Sequence, residues 1–436
     1  MRRRTFGVVA TVATSALLLA ACGGGSSAPA GGSGGGGGAT ALEGVGPITL
    51  VQGKDTSNFV QGVLDSWNGQ HPDQKVTLIE LPEDADAQRQ QMIQNATAKS
   101  DAYDVLEVDN VWTAEFAANR YIVELPQDQF PLSEFLPPVI DAAKYKDKLF
   151  AVPSASDGGL LYYRKDLLDA AGITAAPKTW QELIDACAKV KATPAGAALN
   201  CYAGQFQKYE GLTVNVAEAI NSAGGVITDD QGKPNVNTPQ AKAGLDFLVN
   251  GFKNGYIAKE ALTYKEEEAR RAFQEGKLIF ERQWPYMYSK LVATDGSSQV
   301  NGKFAVAPLP GMSGPGVSSL GGHAKAVSAF SKNKKTALDF IKFFTSKENN
   351  QKNFEQASQA PVYTAIYDDA ALQSKYPYLA TLKQSILTAK PRPKVVRYGD
   401  ATLAIQDAAY GALQGNMTSD QALQQLQTKL EQLITG

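Results

Sequence analysis

The sequence predicts an α/β protein built as two lobes. Two observations carry this. Over residues 48–109 strand and helix patterns alternate, which is the rhythm of a parallel sheet covered by helices. The chain is also 436 residues long, too long for one ordinary core and enough for about two or three.

Each element has a local reason. Ile48–Val51 is a short apolar run that reads as a strand. Residues 57–67 place Phe59, Val63, Leu64 and Trp67 on one face of a helix, which His71-Pro72 ends. Val76–Ile79 is the next strand, residues 85–98 the next helix, and 104–108 a buried strand running out at Asp109 and Asn110. The rhythm changes at 150–153. Leu160–Tyr163 then reads as a strand feeding a helix from Arg164. Thr179 and Glu182 have the spacing of a capping box, opening a helix to Val190. Thr238-Pro239 starts a helix carrying Leu245, Leu248 and Phe252, and Gly255 stops it. Residues 335–344 are amphipathic through Ala337, Phe340, Ile341 and Phe344. A last helix from Ser419 to Ile434 carries Leu423, Leu426, Leu430 and Leu433. Leu278–Phe280 reads as the end of a buried strand. Polar residues follow, then Trp284, Tyr286 and Tyr288 crowd round Pro285, where the chain should leave the sheet. That aromatic surface is either core packing or a platform on which a ligand stacks. No internal repeat is visible.

Composition narrows the function. The chain is 43% hydrophobic and 20% charged, with a net charge of -2 and no long basic run, which argues against a nucleic-acid partner. Arg2, Arg3 and Arg4 precede an apolar run from Phe6 to Ala21, a secretory signal. Small residues then lead into Cys22, so residues 1–22 resemble a bacterial lipoprotein signal whose cysteine is lipidated. The alternatives are an ordinary cleaved signal and a short membrane helix. Acyl chains on Cys22 would hold the protein at a membrane surface without a spanning helix. Residues 23–44, rich in Gly and Ser, read as a flexible tether. In an exported protein the two remaining cysteines, Cys187 and Cys201, are either a disulfide or two buried thiols.

Much catalytic chemistry is missing. There is no nucleotide-binding glycine loop and no Gly-x-Ser-x-Gly elbow. His71 and His323 are the only histidines and there is no Cys-x-x-Cys, so neither a metal site nor a cofactor is expected. A carboxylate pair for glycoside hydrolysis is set by space and not by sequence, so a secreted glycosidase stays open as an alternative.

Seven runs, in order, resemble one family: YDVLEVDNVWTAEF over 103–116, DGGLLYYRKDLL over 157–168, KYEGL over 208–212, EEEARRAFQEG over 266–276, QWPY over 283–286, SLGG over 319–322 and KPRP over 390–393. Together they look like an extracellular solute-binding protein of a carbohydrate ABC importer, most like the trehalose/maltose-binding branch. The resemblance implies a periplasmic-binding-protein-like fold, with residues 45–154 and 304–350 in lobe one and 155–303 and 351–436 in lobe two. It also implies sugar held in the cleft, lobes that close over it, a membrane permease as partner, and a monomer that does no catalysis. The location implied is the extracytoplasmic face of the bacterial membrane. A same-fold receptor for a non-sugar solute is the other alternative.

The resemblance assigns ligand residues. Asp109 and Asp157 match carboxylates that grip sugar hydroxyls, or else serve as a cap and a turn residue. Asp55 is a ligand or the cap of the helix at Ser57. Arg89 matches a cleft arginine, against a solvated helix face, and Arg392 sits between prolines on a stiff loop. Glu266 or Glu267 should point into the cleft. Trp284 and Tyr286 match stacking aromatics, and Gly321 and Gly322 would let backbone approach the sugar. Two positions depart from the branch: His323 stands where an aromatic often follows the glycines, and Ala155 where another often precedes the Asp157 position. A roomier, less aromatic pocket follows, which leaves the particular sugar open.

Overall fold

The computed structural model describes residues 42–434, Thr56 and Asp230 apart. The expected signal, Cys22 and most of the expected tether lie outside the described residues. The tether does not reach residue 44: Leu42 packs on the core, and Lys335 N donates to Glu43 O and Gly44 O.

Eleven strands are found among the described residues: β1 Ile48–Gly53, β2 Val76–Leu81, β3 Val105–Asp109, β4 Lys144–Tyr145, β5 Lys148–Leu149, β6 Val152–Gly158, β7 Leu160–Tyr163, β8 Asn200–Ala203, β9 Leu278–Gln283, β10 Ala305–Ala307 and β11 Leu320–Val327. They form a five-stranded sheet ordered β2-β1-β3-β11-β6, a four-stranded sheet ordered β10-β7-β9-β8, and the β4-β5 hairpin. In the first sheet β2 and β3 run parallel to β1, with helices Phe59–Gln70 and Ala85–Thr97 as crossovers. β11 returns antiparallel between β3 and β6. The second sheet pairs β9 parallel to β8 and antiparallel to β7. Each sheet is the centre of one lobe of a periplasmic binding protein fold.

Local signals produced the expected ends. Thr179 and Glu182 form a reciprocal capping box on Trp180–Lys191. Thr238 caps Pro239–Asn254, and Gly255 closes it in the left-handed region at φ 77°. Cys187 and Cys201 are joined in a disulfide with Cα atoms 5.5 Å apart, tying the capped helix to β8. Closing so short a loop stabilises by about 3 kcal/mol.

β9 differs from expectation. It does not end at Phe280 but continues through Glu281, Arg282 and Gln283, all buried. The polar run stays in the sheet because its members find partners: Arg282 pairs with Glu218, and Gln283 donates to Glu281.

The lobe boundaries also move. β6 keeps residues 155–158 in the first sheet, and β10 keeps 305–307 in the second. Helix Lys347–Ala357 packs on the first lobe's Phe59–Gln70, and Leu379–Thr388 packs on β6, so neither belongs to lobe two. The chain therefore crosses at Gly158–Gly159, at Ser318–Ser319, and near Lys390 before helix Tyr398–Leu413 packs on Glu210–Ser222. The three crossings touch. Lys390 N donates to Ser318 O (2.9 Å), Leu320 N to Lys390 O (2.8 Å), and Gly159 N to Ser318 Oγ (2.6 Å).

Candidate functional site

A cavity of about 300 Å³ opens between the lobes, at the small end of ligand-pocket sizes. The C-terminal ends of β1 and β3 supply Asp55 and Asp109, where open α/β sheets place ligands. β6 and β11 add Ala155, Asp157, Gly321, Gly322 and His323. The second lobe faces them with Glu210, Lys265, Glu266, Glu267, Trp284 and Tyr286, and Arg392 completes the wall.

The aromatics at Pro285 divide. Trp284 and Tyr286 are half-buried and line the cavity. Tyr288 instead stacks on Tyr378, centroids 4.2 Å apart, away from the cavity. The Arg282 guanidinium lies 3.8 Å from the Trp284 ring centroid. Tyr286 OH donates to Glu267 Oε1 (2.8 Å).

The acids differ in how far the protein satisfies them. Asp55 is a cap: Oδ1 accepts from Ser57 N (2.8 Å) and Oδ2 from Val60 N (3.0 Å). Glu267 is held by Arg270 as well as Tyr286, which leaves Glu266 the less committed of the two. Burial pushes the Glu266 carboxyl above its ordinary range. Asp109 Oδ1 accepts from Arg392 Nη2 (2.9 Å), while Arg392 Nη1 donates to Glu210 Oε1. Arg392 is 3% exposed, so this ion pair joins a first-lobe acid to a second-lobe acid in a dry seam. Tyr398 OH and Thr402 Oγ1 also donate to Glu210, whose carboxyl burial pushes up to about 7 against the pull of Arg392. Asp157 is buried with Oδ1 unpartnered by the protein, and Arg392 Nε is likewise unpartnered. Burial pushes the Asp157 carboxyl up to about 6; His323 and Arg282 oppose the shift, and Asp109 and Glu107 add to it.

One sequence expectation needs correction and two gain detail. Arg89 does not line the cavity: its Nε donates to Glu115 Oε2 (2.7 Å) and its guanidinium covers Gly399. Gly321 and Gly322 do line it, but a Cβ at 321 would stand 2.8 Å from the Trp284 ring and one at 322 would stand 2.3 Å from Ala155 O. Their bareness admits the indole and the neighbouring strand, and Gly322 sits at φ +114°. Asp55, left open between ligand and cap, is engaged as a cap. The two departures from the branch, His323 and Ala155, prove to be cross-strand partners. Glu210 was missed. It lies in a noticed run, but its partner Arg392 is 182 residues away, and no local pattern marks that pairing.

Comparison with known proteins gives the family. The family model described as "Bacterial extracellular solute-binding protein" matches residues 52–351. The chain is 32% identical over 379 residues to a "Probable ABC transporter-binding protein" of Deinococcus radiodurans, covering 85% of this chain and 89% of that one. It is 27% identical over 382 residues to the "Mannitol-binding protein" of Pseudomonas aeruginosa, covering 81% and 85%. Among solved structures it is similar to maltose-bound MalE3 of T. maritima, with a TM-score of 0.83 at 34% identity, over 89% of this chain and 100% of that one. The chain belongs to the bacterial extracellular solute-binding protein family of ABC transporters, a family of receptors and not of enzymes.

Proposed function

We propose that this chain is a sugar receptor that binds a di- or oligosaccharide between its lobes and hands it to a membrane permease, with a trehalose- or maltose-type α-glucoside favoured. The observation that carries the reading is the unpartnered Asp157 Oδ1 in a cavity also lined by Trp284 and Tyr286. A sugar presents hydroxyls that donate to a carboxylate and C–H faces that lie on flat rings. Micromolar affinity needs about −8 kcal/mol. A few charge-assisted hydrogen bonds of about 1.5–3 kcal/mol each, with one or two stacked rings, supply it after ordering costs. In this reading Asp157, Glu266 and the free Nε of Arg392 take hydroxyls, Trp284 and Tyr286 take ring faces, and Asp109 holds Arg392 in place. The similarity to maltose-bound MalE3 supports the α-glucoside class. The hydrolytic alternative has no place in a family of receptors.

A second reading, a linear polyol, is favoured by the similarity to the mannitol-binding protein and by the small Ala155 in the cavity wall. Thermal unfolding of the mature chain with trehalose, maltose, maltotriose, mannitol and a polyamine separates the readings. A solute at 100 times its dissociation constant stabilises by about 2.7 kcal/mol. A shift with the α-glucosides carries the proposal. A shift with mannitol alone replaces it, and one with the polyamine alone sinks both.

We assign the membrane anchor to a lipidated Cys22 followed by the tether, with the receptor a monomer that opens and closes freely. Mass spectrometry of the membrane-bound protein should find acyl chains on Cys22; an unmodified N-terminus would remove the anchor.

A further inference from the structure

Beside Trp284 lies an ion pair that does not line the cavity and yet reaches both the indole and the lobe crossings. Arg282 Nε and Nη2 donate to the two carboxylate oxygens of Glu218 at 2.7 and 2.6 Å, and Nη1 donates to Gln205 Oε1 at 3.1 Å. Arg282 is 1% exposed and Glu218 is 5% exposed. Burying two charges is costly, and a pair of apolar side chains would often be as stable or more so, so the pair calls for a reason beyond stability.

Its contacts supply one. On one side the guanidinium covers a face of the Trp284 indole at 3.8 Å, so that face is closed to the cavity the residue lines. On the other side Glu218 Oε1 accepts from Ser319 N (3.1 Å) and lies 3.3 Å from Ser318 Oγ, whose hydrogen is shared with Ser319 O at 2.7 Å. Ser318 Oγ in turn accepts from Gly159 N (2.6 Å), and Ser318 O accepts from Lys390 N (2.9 Å). All three lobe crossings therefore reach Glu218 directly or through Ser318. Gly159 is bare for the same reason: a Cβ there would stand 2.6 Å from Glu218 Oε1 and 2.9 Å from Arg282 Nη2.

We propose that Arg282 and Glu218 are positioning residues that lock the Trp284 indole to the lobe crossings, so that the seating of a solute on the indole and the angle between the lobes bias each other. This rests on the reading of Trp284 as a solute platform. Rigid hydrogen bonds join the two ends, and a change at either end displaces the shared carboxylate.

Two variants test it, each read in two ways: lobe-to-lobe distance distribution by paired spin or dye labels, and Trp284 emission taken as the difference from a Trp284→Phe control. Glu218→Gln keeps the shape and removes the charge. It should change the emission, broaden the distance distribution of the solute-free protein, and weaken binding of maltose by roughly 2- to 30-fold. Ser318→Ala leaves the Arg282–Glu218 pair and the indole alone, so emission should stay as in the parent while the solute-free distances broaden. Should Glu218→Gln fail to fold, Ser318→Ala decides alone. Parental distance distributions in the folded variants would overturn the proposal. The distances are read without solute, so a parent protein that ignores maltose counts against the sugar reading and leaves this test standing.

Discussion

Asp109 and Asp157 flank β11 on opposite sides, one opposite His323 and the other opposite Gly321. Both line the cavity, yet they end in different states. Asp109 is bound by Arg392 and by Val111 N, while Asp157 has an oxygen that no protein group meets. Position at the end of a strand nominates a carboxylate for binding, and the neighbours decide whether it is available. Arg392, buried between Asp109 and Glu210, makes Asp109 part of the seam between the lobes. Nothing comparable reaches Asp157 Oδ1.

The largest effect should come from breaking the satisfied side of this comparison. Arg392→Met would leave Asp109 and Glu210 facing each other without a cation. Removing one partner of a buried pair typically costs about 3–5 kcal/mol, so urea unfolding should show a loss of that order. A loss below about 1 kcal/mol would mean that Asp109 is as open to a solute as Asp157, and the contrast would collapse. The next effect falls on the unsatisfied side, with the opposite balance. Asp157→Asn should weaken the best sugar by about 10- to 100-fold, the loss of one charge-assisted hydrogen bond. Its melting temperature should hold or rise, because an amide is easier to bury than a carboxylate. Equal affinity in variant and parent would remove Asp157 from the ligand set.

The comparison also marks what the sequence could reveal. Strand-helix alternation, the Thr179 capping box, the Gly255 stop and the aromatic cluster at Pro285 are local signals, and the structure places each near its expected residues. The aromatic-proline run left core packing and platform open for Trp284 and Tyr286, and it was the family resemblance that assigned them and Asp157 to the cleft, where all three line the cavity. The misreadings all depend on distant partners. Arg89 reads the same on a helix whether it faces solute or Glu115, 26 residues on. Glu281, Arg282 and Gln283 look like the start of a loop because Glu218, which keeps Arg282 in the sheet, is 64 residues away. The lobe boundaries moved because β10, β11 and helix Leu379–Thr388 choose partners far from their own place in the chain.

Acidity offers a smaller effect with a definite sign. The folded-state pKa of Asp157 is raised to about 6, above the ordinary 3.8. The folded protein therefore binds this proton more tightly than the unfolded chain. The stabilisation is fully present below about pH 4 and is lost as pH rises through about 6. A sugar hydroxyl donating to the carboxylate favours the ionised form, so affinity should move the other way, falling as pH drops below about 6. Titration from pH 5 to 8 should show this slope in the parent and a flatter one in Asp157→Asn. A slope that survives the substitution would shift the effect to Glu210, whose raised carboxyl near 7 lies on the Asp109 side of the site.

The smallest effect tests whether the seam extends past Arg392 to the mouth of the cleft. Lys265 of the second lobe reaches Asp84 of the first at 2.5 Å, and Asp84 also caps helix Ala85–Thr97 through Ala87 N. Their side chains are 27% and 26% exposed, so water screens the pair far more than it screens Arg392. Such pairs contribute about 0–1 kcal/mol, and Lys265→Ala should weaken sugar binding by no more than about fivefold. The deficit should fade in about 1 M salt, where screening acts within about 3 Å. The stability loss of Arg392→Met should largely persist in the same salt, because its pairs with Asp109 and Glu210 are far less exposed. If Lys265→Ala instead costs more affinity than Asp157→Asn and keeps that cost in salt, closure is governed at the mouth of the cleft. The unsatisfied acid on its floor would then be a lesser contact than its geometry implies.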